Sequence, residues 1–166
     1  MPILIAGYIC LSCNCKGTVG DIKKLVHECD LIFEGNLVNI AHDSATQTYT
    51  VTFRVTRIYK GDKQLKSVSV KSTNAGDCEL LIDRPQGDDA ELIGRHYLIY
   101  VNKGAEGYVF DYCNNWVVSD SYIDNNIVTN TYKRKKDSET TGWFREEVGL
   151  LNSALKQEKK NNRAKK

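Results

Sequence analysis

A mainly β fold is predicted by three observations. Five segments read as strands, two of them with clear apolar–polar alternation, and the earliest of them carry a glycine bend or run unusually long. Helical spacing appears at only two places, one before the strands and one after them. No strand–helix–strand rhythm runs through the chain, which argues against a parallel, doubly wound sheet. Five strands with bent leading members fit a Greek-key barrel of the OB-fold type, and a small β-sandwich is the competing architecture.

The elements follow in chain order. "TVGDIKKLVHEC" (18–29) places Ile22, Leu25, Val26 and Cys29 on one helical face, with Asp21 positioned to cap the first turn, so a helix is expected over about 19–29. "DLIFEGNLVNI" (30–40) reads as a strand in which Gly35 marks a bulge or sharp bend. In "TQTYTVTFRVTRIYKG" (46–61), Tyr49, Val51, Phe53, Val55 and then either Arg57 or Ile58 take the inner face. A strand of that length must coil or change sheets. "LKSVSVKS" (65–72) alternates again through Leu65, Val68 and Val70. "RHYLIYVNK" (95–103) and "GYVFDYC" (107–113), parted by "GAE", form a hairpin. Residues 119–142 are polar and irregular and predict an exposed connection. Phe144, Val148, Leu151 and Leu155 then make the stripe of a helix over about 143–157 that docks on the barrel.

Composition narrows the class. The 166 residues are 41% hydrophobic and 27% charged, which suits one globular domain with a true core. The net charge of +2 is uneven: "KQEKKNNRAKK" (156–166) carries six Lys or Arg against one Glu. Residues 158–166 are accordingly expected to be a basic, disordered tail. No apolar run approaches a membrane span. There is no Gly-rich phosphate loop, no Ser/His/Asp order and no paired carboxylates, so an enzyme is not expected. Nucleic-acid binding would need aromatics interleaved with Lys and Arg on one face. Tyr49, Phe53 and Tyr59 are the candidates, and their spacing suits the core better.

The first twelve residues, "MPILIAGYICLS", are apolar and uncharged and resemble the hydrophobic region of a secretory signal. Cys10 and Ser12 are small enough to permit cleavage before Cys13. A first buried strand or a misplaced start are the competing readings. Three of the six cysteines lie in "CLSCNC" (10–15). Paired zinc knuckles are missing, and His27, His42 and His96 have no partner at ligand spacing, so no intrinsic metal or cofactor is expected. Export implies an oxidising compartment, and disulfides from Cys13 and Cys15 to the distant Cys78 and Cys113 follow as the best use of these thiols. Sequence alone does not choose among the three possible pairings of these four cysteines. Cys29, on the apolar helix face, is expected to be a buried thiol, with Cys10 as its partner if the leader stays.

The combination of C-x-C (Cys13-Asn14-Cys15), the early helix, "DLIFEG", "VTFRVTRIYKG", a mid-chain cysteine and "YCNNWVV" resembles the inhibitory domain of the tissue inhibitors of metalloproteinases. It is similar as well to the wider netrin-like OB-fold family and its bacterial envelope relatives. The similarity covers about residues 13–118. The resemblance implies the bridges Cys13–Cys78 and Cys15–Cys113. It also implies that cleavage makes Cys13 the mature terminus, whose α-amine and carbonyl chelate the zinc of a target protease. Asn14 then enters the specificity pocket, and Cys15, Gly76, Asp77 and Cys78 complete the inhibitory ridge. Asn14 departs from the small Ser or Thr usual in that family, and the family's third bridge and second domain have no counterpart.

The expectation is thus a monomeric, secreted, periplasmic or envelope protein: leader 1–12, OB-fold domain 13–118, connection 119–142, helix 143–157 and tail. Its implied partner is a zinc metalloprotease or, if it does not inhibit, an envelope protein or glycan. Nucleic acid is not expected.

Overall fold

The structure, a computed structural model, describes residues 22–46, 48–72, 92–110, 116–119 and 140–164. Helix α1 (Ile22–Glu28) precedes β1 (Leu31–Asp43), β2 (Thr48–Lys60), β3 (Ser67–Ser72), β4 (His96–Gly104), β5 (Gly107–Phe110) and β6 (Trp116–Ser119), and α2 (Thr140–Ala164) follows. The fold is mainly β. The strands run in the order β1-β2-β3-β5-β4-β6, and β1 also pairs with β4, so five of them close in a ring. All pairings are antiparallel except β3 with β5.

Ring closure depends on how the first two strands bend. Their register slips between Ile32 and Phe33, between Glu34 and Gly35, and between Leu37 and Asn39. A bulge adds twist and re-aims the side chains beyond it. That resolves the choice left by the alternation of β2. Tyr49, Val51 and Phe53 are buried inside; beyond the bulge Ile58 packs against the inner core while Arg57 is exposed. Gly35 sits at a slip, and a Cβ there would stand 2.9 Å from the Arg54 carbonyl oxygen and 3.2 Å from the Phe53 Cβ. Coiling at this point therefore depends on the absence of a side chain.

Two cores result. Inside the ring Leu31, Phe33, Leu37, Val51, Phe53, Val70, Tyr97, Ile99, Val101 and Phe110 are buried together. The Phe53 ring makes edge contacts with Phe33 and Tyr97, each at 5.8 Å. Outside it, the intervening Ile32, Leu98 and Tyr100 form a second core with Leu25, Val26 and Cys29 of the α1 segment and Leu151 and Ala154 of α2. Because β1 and β4 are covered on both faces, "LIF" and "YLIYV" read as continuous apolar runs. The stripes predicted for both helices, Ile22–Leu25–Val26–Cys29 and Phe144–Val148–Leu151–Leu155, all pack into this outer core.

The structure corrects the sequence reading at two places. A sixth strand, β6, adds to β4 through Tyr97–Tyr100, where one strand over 107–113 was expected. Both β5 and β6 run antiparallel to β4, along successive stretches of it. Helix α2 also begins before residue 143 and continues to Ala164, so residues 158–164 are helical rather than a disordered tail. Lys, Glu and Arg are good helix formers, and cations favour a helix C-terminus. Glu158 further ties this end to α1, 3.7 Å from His27. Asp21 and the start of the expected first helix lie outside the described residues.

Candidate functional site

The residues expected to form an inhibitory ridge, Cys13, Asn14, Cys15, Gly76, Asp77 and Cys78, lie outside the described residues, as do Cys10 and Cys113. The strands that lead to them are described. β3 ends at Ser72 and β5 at Phe110, and these two residues are register partners in the parallel pair Val70–Tyr108, Lys71–Val109, Ser72–Phe110. Parallel neighbours leave a sheet at the same end. The chain therefore departs toward Cys78 and toward Cys113 from adjacent points. Fully extended, the six and three intervening steps span at most about 20 and 10 Å.

A second feature was not singled out from the sequence. On the outer face of β1, Glu34 accepts hydrogen bonds from the Tyr59 hydroxyl and, at 3.1 Å, from His96 Nε2. The Glu34 side chain is 15% exposed and that of His96 22%. Arg57 lies over the Tyr59 ring, 4.9 Å from its centroid, and the His96 ring contacts Phe144 of α2 at 5.5 Å. The His96 hydrogen bond holds the Glu34 carboxyl below its ordinary range, helped by Tyr59 and the nearby charges and opposed by burial. Burial and the Glu34 carboxylate push the Tyr59 hydroxyl far up. Further along α2, the Tyr100 hydroxyl donates to the buried Glu147 at 3.2 Å, and burial raises it likewise. A charge inside the apolar run "LIFEG" is the signal that marks Glu34. Its partners are too distant in sequence for spacing to reveal them.

Glu34 and His96 are largely covered beneath α2, so this seam helps hold α2 on the ring through one carboxylate and its two donors. The three histidines stand apart: His27 near Glu158, His42 beside the Tyr49 ring and His96 on Glu34. Among the described residues no group of three His, Cys, Asp or Glu is arranged to hold a metal. Tyr49 and Phe53, weighed as base-stacking residues, are buried in the inner core. Cys29 is fully buried, as its place on the helix face predicts. No described helix is long and apolar enough to cross a membrane. No protein-family model and no curated protein matches the chain.

Proposed function

We propose that the chain is an OB-fold protein of the netrin-like type that acts outside the cytoplasm as an inhibitor of zinc metalloproteases. The observation that carries the reading is the parallel β3–β5 pair, whose ends launch the segments holding Cys78 and Cys113 side by side. A C-x-C segment puts its two sulfurs two residues apart. Such a segment can bridge to both neighbours at once, as the resemblance to tissue inhibitors of metalloproteinases requires. The closed strand order, with β1 shared between β2 and β4, supports a five-stranded Greek-key barrel.

In this mechanism cleavage before Cys13 exposes an α-amine, which has a pKa near ~8 and loses its proton readily to a metal. The amine and the Cys13 carbonyl occupy the open position of the target's zinc, displacing the attacking water. The bridges to Cys78 and Cys113 hold the wedge rigid, so little conformational entropy is lost on binding. Asn14 selects the protease, and its polar amide disfavours an apolar pocket.

The test compares protein beginning at Cys13 with the same protein carrying one added alanine, against a panel of zinc metalloproteases. Inhibition by the first alone supports the mechanism; equal inhibition by both, or by neither, refutes it. A non-inhibitory netrin-like module that binds an envelope component is the second reading. It is favoured by the basic end of α2, which is helical rather than frayed.

A further inference from the structure

Cations from two separate parts of the chain meet beside the outer core. Lys156, Lys159, Lys160 and Arg163 recur at helical spacing and share one flank of α2, turned from the buried face of Leu151, Ala154 and Leu155. The single acid of this stretch, Glu158, turns toward His27. Beside the flank is the turn after β2, since Tyr59 at the end of that strand packs into the same outer core as Leu155 of α2. There the Lys63 ammonium donates to the carbonyls of Ile58 at 2.6 Å and Tyr59 at 2.8 Å. This places it within electrostatic reach of Lys159 and Arg57, and burial together with those two charges lowers its pKa. Lys60 is occupied otherwise, donating to the carbonyls of Val26 and His27 at the end of α1. The four helix cations, Arg57 and Lys63 are all exposed. Among the described residues no acid forms an ion pair with any of the six.

We infer that this flank, Arg57 and Lys63 with Lys156, Lys159, Lys160 and Arg163, docks the protein on the anionic surface of a lipid bilayer. Like charges gathered in this way repel one another, and an external anionic surface turns that repulsion into attraction. The six cations stand on a helix flank, near the end of β2 and in the turn after it, and four of them are lysines. Laterally mobile headgroups adapt to such a pattern, whereas planar, bidentate recognition would call for arginine forks. Stacking of bases or sugar rings would need an exposed aromatic on the flank. Tyr59, the nearest, is half-buried, covered by Arg57 and bonded to Glu34. The exposed large apolar side chains of the described residues are Ile93 and Leu150. Leu150 lies on the other flank of α2, so attachment is electrostatic, without insertion.

Docking is independent of the inhibitor reading, because it does not involve Cys13. The full chain, and the form beginning at Cys13 with one added alanine, are each sedimented with phosphatidylcholine vesicles containing about a third phosphatidylglycerol. Both forms are expected to bind, to be released by salt, and to ignore pure phosphatidylcholine. Replacing Lys156, Lys159, Lys160 and Arg163 by Gln removes four charges at roughly fivefold each, a loss of two orders of magnitude or more in partitioning. Circular dichroism and thermal unfolding check that this variant is folded. Arginine at the three lysine positions retains binding. Failure to bind anionic vesicles, equal binding to neutral ones, or full binding by the glutamine variant overturns the proposal. Capture by heparin or a single-stranded oligonucleotide without vesicle binding also overturns it, and assigns the flank to a soluble polyanion.

Discussion

Glu34 shows how one residue couples sheet and helix. Its carboxylate is stabilised by the His96 and Tyr59 donors, so its folded pKa lies below the ordinary 4.5. A carboxyl depressed on folding contributes stability that is fully present above that value and is lost as pH falls through the folded pKa. Glu34→Gln keeps the shape and one acceptor but removes the charge. It is expected to cost about 2 kcal/mol at neutral pH, the worth of charged hydrogen bonds. Urea titrations at neutral pH and again well below pH 4.5 should show the wild-type advantage shrinking. An advantage that stays constant with pH would remove Glu34 from that role. Tyr59→Phe keeps the ring beneath Arg57 and deletes one donor. A loss of about 1–3 kcal/mol is expected, with reduced acid sensitivity, because the Glu34 carboxyl then rises toward its ordinary value.

At the scale of elements, β1 and α2 decide how the ring is built and covered. Gly35→Ala would force a Cβ against the Arg54 carbonyl at 2.9 Å and the Phe33 ring at 3.3 Å. The expected loss is about 1–3 kcal/mol, read as a lower urea midpoint with an unchanged slope. Leu151 is fully buried between α2 and the sheet, and Leu151→Ala is expected to cost about 2–5 kcal/mol. Retained stability in that variant would mean that α2 is a passenger on the sheet. The same elements show what the sequence made legible. Apolar alternation marks β2 and β3 and apolar runs mark β1 and β4, and the Gly35 bend is visible because glycine interrupts an otherwise branched and aromatic strand. The bulge in β2 is not, since Thr56, Arg57 and Ile58 carry no mark of the slip that turns Ile58 inward and Arg57 outward. β6 was missed because four residues give too little periodicity and its pairing with β4 is tertiary. The end of α2 was read as a tail from its charge, although the same residues are good helix formers once Leu151 and Ala154 nucleate the helix on the sheet.

For the whole molecule, the proposed bridges add a constraint that neither core supplies. The ring is closed by β1–β4 pairing, with helices covering one side. Cys13–Cys78 and Cys15–Cys113 would close much longer loops, each worth about 4 kcal/mol in the chain-entropy description. Their proposed partners follow strands that end together at Ser72 and Phe110, so both bridges would fasten one segment at one end of the ring. The double variant Cys78→Ser/Cys113→Ser should therefore unfold at markedly lower urea than the wild type under oxidising conditions. In reductant the two proteins should converge, because the wild type then loses the same constraint. Cys29→Ala serves as the contrasting variant: this residue is fully buried in the outer core, so its loss should lower stability equally with and without reductant. Peptide mapping of oxidised protein completes the test by joining Cys13 to Cys78 and Cys15 to Cys113. The crossed pairing would keep the stabilisation and remove the geometry that the inhibitory wedge needs. Wild-type protein indifferent to reductant would leave the ring and its two cores as the source of stability and exclude the bridges altogether.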